Sequence, residues 1–534
     1  MANADSNALT RRALLQASLA VSTGALIAPW DAAFARSNSK CTVLNTRHGK
    51  IRGAREDGVH IFKGVPYGAD TAARRFLAPI VPVSWKGISD AIAYGPACPQ
   101  LSSAELTSED CLRLNVWTPA LHDGGKRPIL VYIHGGEFST GSGSAPIYDG
   151  TALCRRGDVV VVTVNHRLNA FGHLYLARIA VDDYDASGNV GLLDLILALE
   201  WIRDHAEAIG GDPNCVTVFG QSGGGAKIAT LMSMPAAKGL FHRAWTMSGQ
   251  QITASGPRSA TLRARAFLNA LNVSGIDQLK KVPADVLVAA TKTADATMVG
   301  RSLYFGPVQD SITLPRHPFY PDAPAQSAHI PMIIGNTLDE TRSFLGNEPR
   351  VNELSWNELP DRLLSDLHVD IDPDRVIAEY RRLYPQMSAS EVFFAATTAG
   401  RSWRGALIEL ELRAAQCART FAYQLNYRSP LEGGRYGAMH TMDIPLVFDN
   451  IARPGSLTGV NEAAQKTSDQ MSDALIAFAR TGDPNHSSLP HWPAYDLEHR
   501  STMLFDATSR VEDDPRGAER RLFAQVPYIQ RGTY

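Results

Sequence analysis

Ser222 lies in the run Val218-Phe219-Gly220-Gln221-Ser222-Gly223-Gly224-Gly225, a Gly-x-Ser-x-Gly pattern at the end of an apolar stretch. The stretch reads as a strand, and Lys227 to Met232 reads as a helix. A serine on so tight a strand-to-helix turn is pushed out at the top of a sheet with its hydroxyl exposed. Gly220 and Gly224 stand where a Cβ would collide with neighbouring backbone. A serine hydroxyl is a weak nucleophile at neutral pH, so acyl transfer also needs a base, a group that orients the base, and donors for the oxyanion. Taken alone, the pentapeptide also fits an ordinary glycine-rich connection. Its partners downstream decide the matter.

The base candidate is His440 in Gly437-Ala438-Met439-His440-Thr441-Met442-Asp443, a loop after the late strand Phe421 to Leu425. Its position alone fits a solvated loop histidine equally well. The acid candidate is Glu340, just after the strand Pro331 to Ile334, and its neighbour Asp339 is a rival that sequence physics does not separate. The order Ser, Glu, His is that of α/β-hydrolases. Ile133-His134-Gly135-Gly136-Glu137-Phe138 follows another apolar strand, and the N–H groups of Gly136, Glu137 and Gly223 are the oxyanion candidates. One such donor is worth roughly 3–4 kcal/mol of transition-state stabilisation.

These residues need a scaffold that brings distant strand ends together. Pro128 to Ile133 and Asp158 to Val164 are continuous apolar runs of the kind found in strands covered on both faces. Thr42 to Arg55, Val59 to Tyr67 and Leu112 to Trp117 read as outer strands, the first two antiparallel. Leu192, Leu195, Ile196, Leu199 and Ile202 share one helical face, and that helix is expected to end at Gly210-Gly211. Cys215 to Phe219, Arg243 to Met247, Pro331 to Ile334 and Phe421 to Leu425 follow as strands. The alternation predicts an α/β fold, a mostly parallel sheet with helices on both faces. Residues 256–300 and 346–415 are helix-rich and read as insertions roofing the carboxyl ends of the strands, where open α/β sheets bind ligands. No internal repeat or low-complexity linker follows residue 40, so 36–534 reads as a single domain.

Composition limits the alternatives. The 534 residues are 44% hydrophobic and 20% charged with net charge −2, a soluble globular balance that gives no electrostatic reason to expect nucleic acid or an anionic membrane as partner. Residues 1–35 read as a Tat-type signal peptide: Arg11-Arg12, a modest apolar run to Pro29, and the small-x-small site Ala33-Phe34-Ala35. That predicts export to the periplasm or medium of a bacterium, with no stable membrane insertion after cleavage. The six cysteines are too sparse for a disulfide scaffold, although one bridge between Cys98 and Cys111 is compatible with their spacing. No Cys-x-x-Cys or His-x-x-x-His pair offers metal-ligand spacing, and the chemistry calls for no cofactor.

From about Thr42 to Tyr495 the chain resembles the type B carboxylesterases, the family of the cholinesterases and bacterial p-nitrobenzyl esterases. The resemblance is carried by Phe62–Gly68 with Arg75-Phe76, Glu109–Trp117, Asn165–Gly172, Ile209–Gly224, Gly239–Ala244 and Phe478–Asn485. It implies the α/β-hydrolase fold and hydrolysis of small-molecule carboxylic esters through an acyl-enzyme. It assigns Glu340 over Asp339 as the triad acid and His440 as the base, and it implies a Cys98–Cys111 disulfide. Amide or lactone hydrolysis by the same residues, or a cholinesterase-like binding protein without catalysis, are the alternatives. Three departures stand out. Gln221 replaces the family's usual Glu, Gly223 replaces its Ala, and Glu137 replaces the third glycine of His-Gly-Gly-Gly. Gly223 is expected to add backbone freedom. The Glu137 side chain is expected near the acyl pocket, either receiving a cationic or hydroxylated substrate or pairing with an internal arginine. Phe138, Phe305 and Phe344 are candidate gorge residues, residues 281–306 and 346–400 candidate specificity insertions, and Cys215 a buried thiol beneath the turn.

Overall fold

The computed structural model describes residues 42–180, 183–298 and 301–533, so the predicted leader lies outside the described residues. All described residues fall in one compact unit. Its frame is a sheet of thirteen strands: β1 (Thr42–Asn45), β2 (Lys50–Glu56), β3 (Val59–Pro66), β4 (Ile88–Asp90), β5 (Arg113–Thr118), β6 (Arg127–Ile133), β7 (Val160–Val164), β8 (Gly211–Gln221), β9 (Arg243–Met247), β10 (Met332–Thr337), β11 (Thr420–Leu425), β12 (Ser501–Phe505) and β13 (Arg510–Asp513). The order across the sheet is β1-β2-β3-β5-β7-β6-β8-β9-β10-β11-β12-β13, with β4 beside β2. From β7 to β12 every neighbouring pair is parallel, while β1-β2-β3-β5-β7 and β12-β13 pair antiparallel.

The continuous apolar runs are explained by burial on both faces. In β6, Ile129, Val131 and Ile133 point into one core while Leu130 and Tyr132 point into the other. In β7, Val160, Val162 and Val164 oppose Val161 in the same way. One face is covered by the helix Val190–His205 through Leu192, Leu195, Ile196, Leu199 and Ile202. The other is covered by the helix Glu462–Thr481 through Met471, Ala474, Leu475 and Phe478. No helix among the described residues is long and apolar enough to cross a membrane.

Two boundaries differ from expectation. The helix over 190–205 stops at His205, short of Gly210, because its C-terminus passes into turns in which Ile209 N donates to His205 O and Gly210 N to Glu207 O. The segment Thr42–Arg55 is two strands folded back on each other, with Asn45 opposite Lys50. The insertions are helical as expected, with Pro257–Ala270, Ile276–Leu279 and Ala284–Ala290 in the first and Leu359–Asp366, Pro373–Leu383, Ala389–Thr398 and Arg404–Ala415 in the second. A π-helical turn, Ala399–Trp403, interrupts the last two.

Candidate active site

Four strands of the parallel block, β6, β8, β10 and β11, deliver the chemically competent residues at their carboxyl ends, where α/β sheets bind ligands. β8 ends at Gln221, and Ser222 forms the turn into the helix Gly223–Leu231 with φ 56° and ψ −125°. A positive φ at a residue with a Cβ is strained, and it lifts the hydroxyl away from the sheet. The turn is held by Ser222 N donating to Met247 O at 2.8 Å and Ala226 N donating to Ser222 O at 3.1 Å. The helix can pack this closely because Gly224 abuts the Ile133 carbonyl with no room for a Cβ.

The structure separates the two adjacent carboxylates. Glu340 is fully buried, and its Oε2 accepts from His440 Nδ1. Its other oxygen accepts from Thr337 N at 2.8 Å and Asn336 Nδ2 at 3.2 Å. Burial works to raise the Glu340 pKa, but the His440 charge and hydrogen bond and the Thr337 N–H hold it below the ordinary carboxylate value. Asp339 instead braces the loop that carries His440: its Oδ2 accepts from Ala438 N, its N donates to Ala438 O, both at 2.9 Å. His440 is buried beneath Phe344, whose ring centroid lies 4.9 Å away.

The loop after β6 faces the serine turn. Gly136 and Glu137 have φ of 83° and 53°, and their N–H groups donate to no other group among the described residues. Gly223 is the first residue of its helix, where N–H groups lack intrahelical acceptors. Beneath this loop the buried Lys227 donates to His134 O at 3.0 Å, and burial alone pulls its pKa down to about 7. All three N–H groups, Ser222 and His440 line one cavity of about 430 Å³.

The three departures from the family pattern become intelligible here. Gln221 Nε2 lies 3.3 and 3.2 Å from the two ring nitrogens of His440, so its neutral amide sits across the imidazole. Gly223 does not serve backbone freedom. Glu137 backbone occupies the place where its Cβ would be, so glycine there accommodates the Glu137 loop. The Glu137 carboxylate pairs with Arg531 at 2.8 and 3.1 Å, resolving the two expectations in favour of an internal arginine.

Of the aromatic gorge candidates, Phe138 and Phe344 line the cavity, whereas Phe305 packs against Phe267 with ring centroids 5.6 Å apart. The insertions contribute Tyr304 and His368. Sequence reasoning missed Arg401 and Ser402 on the π-helical turn and Tyr528 and Arg531 in the last described segment, all of which line the cavity. No local motif marks them, and the chain after residue 495 lay beyond the resemblance. Cys98 and Cys111 are both buried and both free thiols, so the implied bridge is not formed in this structure. They interact as thiols instead: the hydrogen bond with Cys98, reinforced by burial, pushes the Cys111 pKa well up. Cys215 is half-buried, not buried, with its thiol donating to Ala479 O at 3.2 Å.

A parallel-centred sheet with a strained serine turn, a buried carboxylate-histidine pair and unused N–H groups at one set of strand ends defines an α/β-hydrolase. The family model described as "Carboxylesterase family" matches residues 40–523. The para-nitrobenzyl esterase of Bacillus subtilis is 36% identical over 497 residues, spanning 90% of this chain and 98% of that one. The fumonisin B1 esterase of Sphingopyxis macrogoltabida is 31% identical, spanning 86% of each. Among solved structures, the Geobacillus stearothermophilus carboxylesterase EST55 matches with a TM-score of 0.79 and 38% identity, over 90% of this chain and 99% of that one. The chain belongs to the carboxylesterase family and is a serine carboxylesterase.

Proposed function

We propose that Ser222, His440 and Glu340 are the catalytic triad, and that the N–H groups of Gly136, Glu137 and Gly223 form the oxyanion hole. The observation that carries this reading is the buried Glu340–His440 hydrogen bond in the cavity wall that also bears the strained Ser222 turn. His440 Nε2 takes the Ser222 proton as Oγ bonds to the ester carbonyl carbon, and the carbonyl electron pair moves onto oxygen, where the N–H groups receive it. Collapse of this intermediate breaks the bond to the leaving oxygen, which takes the proton back from His440 as an alcohol. Water then repeats the sequence on the acyl-enzyme and restores Ser222. Glu340 fixes the tautomer that donates from Nδ1 and stabilises the imidazolium, with no role as a proton acceptor.

The test is turnover of p-nitrophenyl acetate and butyrate by the wild type and by Ser222→Ala, with fluorophosphonate labelling in parallel. The variant is expected to lose about 10⁴–10⁶ in kcat and all labelling. Retained turnover, or labelling at another residue, would remove Ser222 from the mechanism.

A further inference from the structure

We propose that the active-site cavity contains an anion subsite built on Arg401, which favours esters bearing a free carboxylate a short chain away from the scissile bond. This inference rests on Ser222 being the nucleophile, and it concerns which esters reach it.

The cavity is electrostatically lopsided. Glu137 is the only acidic residue among the described residues that line it, and Arg531 already engages that carboxylate. Glu340, behind the wall, is engaged by His440. Arg401 makes no ion pair or side-chain hydrogen bond to a carboxylate among the described residues. Its guanidinium carbon sits 4.2 Å from the centre of the Phe344 ring, a cation–π contact that only partly replaces lost water. Burial lowers its pKa from the ordinary value, with the guanidinium charge of Arg531 and of Arg301 adding to the effect and Glu137 and Glu340 opposing it. His368 registers the same field: burial, then Arg401, Arg301 and Arg531, push its pKa to about 4, which leaves it neutral at pH 7. Arg401 is half-buried, and for a partly desolvated guanidinium with no carboxylate partner a planar carboxylate is the group whose geometry answers it with two parallel hydrogen bonds.

Arg401 is also held in place. It belongs to the π-helical turn Ala399–Trp403, the kind of local widening of a helix that recurs at functional sites. Its carbonyl accepts from the Tyr528 hydroxyl at 3.3 Å. The position relative to the reacting centre is short-range: the Phe344 ring touches both the guanidinium and, at 4.9 Å, the His440 ring. A carboxylate bridging those two steps is separated from the scissile ester by about three to five bonds.

The experiment compares each carboxylate ester with its neutral amide isostere. One arm places the carboxylate on the acyl side, monomethyl glutarate against its glutaramate. The other places it on the alcohol side, 4-acetoxybenzoate against 4-acetoxybenzamide. For each pair the ratio of kcat/KM values is measured for wild type, Arg401→Gln and Arg401→Lys. The expected result is a ratio that falls about 10- to 100-fold in Arg401→Gln in one arm, with partial recovery in Arg401→Lys. Turnover of the neutral isosteres reports that each variant is folded. Ratios unchanged in both arms, with isosteres hydrolysed, would overturn the subsite while leaving the esterase mechanism standing. If the wild type hydrolyses none of the four esters and takes up no fluorophosphonate at Ser222, the Ser222 reading fails and the subsite with it; if Ser222 is labelled but all four esters are left intact, the subsite alone is overturned.

Discussion

The floor of the active site and its wall are built by different means. The floor consists of strand ends and the turns immediately after them: Ser222 after β8, Glu340 after β10, His440 after β11, and Gly136-Glu137 after β6. Each depends on local backbone geometry imposed by glycines and on sheet register. The wall is assembled from segments far apart in sequence: Tyr304 and His368 from the insertions, Arg401 from a π-helical turn, and Arg531 from the last described segment. The family model reaches residue 523, so Arg531 stands outside the matched region and yet engages Glu137 in the loop after β6. The reacting groups of the proposed site thus stand at strand ends, while the groups around them come from segments distant in sequence.

Four substitutions press on that contrast, from the strongest expected effect to the weakest. On the floor, Glu340→Gln keeps the shape but removes the charge proposed to stabilise the His440 cation, so kcat is expected to fall about 10³–10⁴-fold with KM little altered. A fall below tenfold would show that the buried carboxylate does not work through His440. Gly223→Ala places a methyl against Glu137 backbone. A displaced oxyanion donor costs about 10²-fold in kcat, and overpacking costs about 1–3 kcal/mol of stability. A fully active, fully stable alanine variant would mean that the Glu137 loop yields freely.

At the boundary between floor and wall, Arg531→Gln leaves Glu137 without its cation. Both side chains are over a third exposed, so the pair contributes at most about 1 kcal/mol, and kcat/KM for neutral esters is expected to change only a few-fold. A loss comparable with that of Gly223→Ala would make the terminal segment part of the floor.

The fourth substitution concerns pH. Asp443 is buried behind the proposed triad with Tyr423 donating to its Oδ2 at 2.9 Å, and burial, then the Glu340 charge, raise its pKa to about 7. Between roughly pH 4 and 7 the unfolded chain releases this proton and the folded protein keeps it, so the group withdraws stability as pH rises through that window. The Tm of wild type relative to Asp443→Asn is therefore expected to fall from pH 4 to 7 and to level off above. A constant difference across that range would contradict the buried, protonated state.

Legibility from sequence follows the same division. The strand Arg127–Ile133 is readable because burial on both faces demands a near-continuous apolar run. Three peripheral strands escape: β4 is exposed throughout, β13 is short and half-exposed at the sheet edge, and β12 beside it opens on Ser501-Thr502 with no distinctive period. Ser222 and the oxyanion loop announced themselves through glycines that tight backbone approach requires. His440 and Glu340 did not, since a loop histidine and one of two neighbouring carboxylates look alike until a fold brings them together. Resemblance supplied that choice, and the Glu340–His440 hydrogen bond gives its physical content.

The sequence by itself determined the α/β layering, the serine turn and the set of groups available for acyl transfer, because these depend on periodicity, steric allowance and side-chain type. Only the tertiary structure decided which carboxylate touches His440, that Gly223 makes room for Glu137, and that Glu137 meets Arg531 while Arg401 pairs with no acid among the described residues. Those outcomes depend on contacts between segments far apart in the chain, 100 residues for Glu340 with His440 and 394 for Glu137 with Arg531, and no local pattern encodes them.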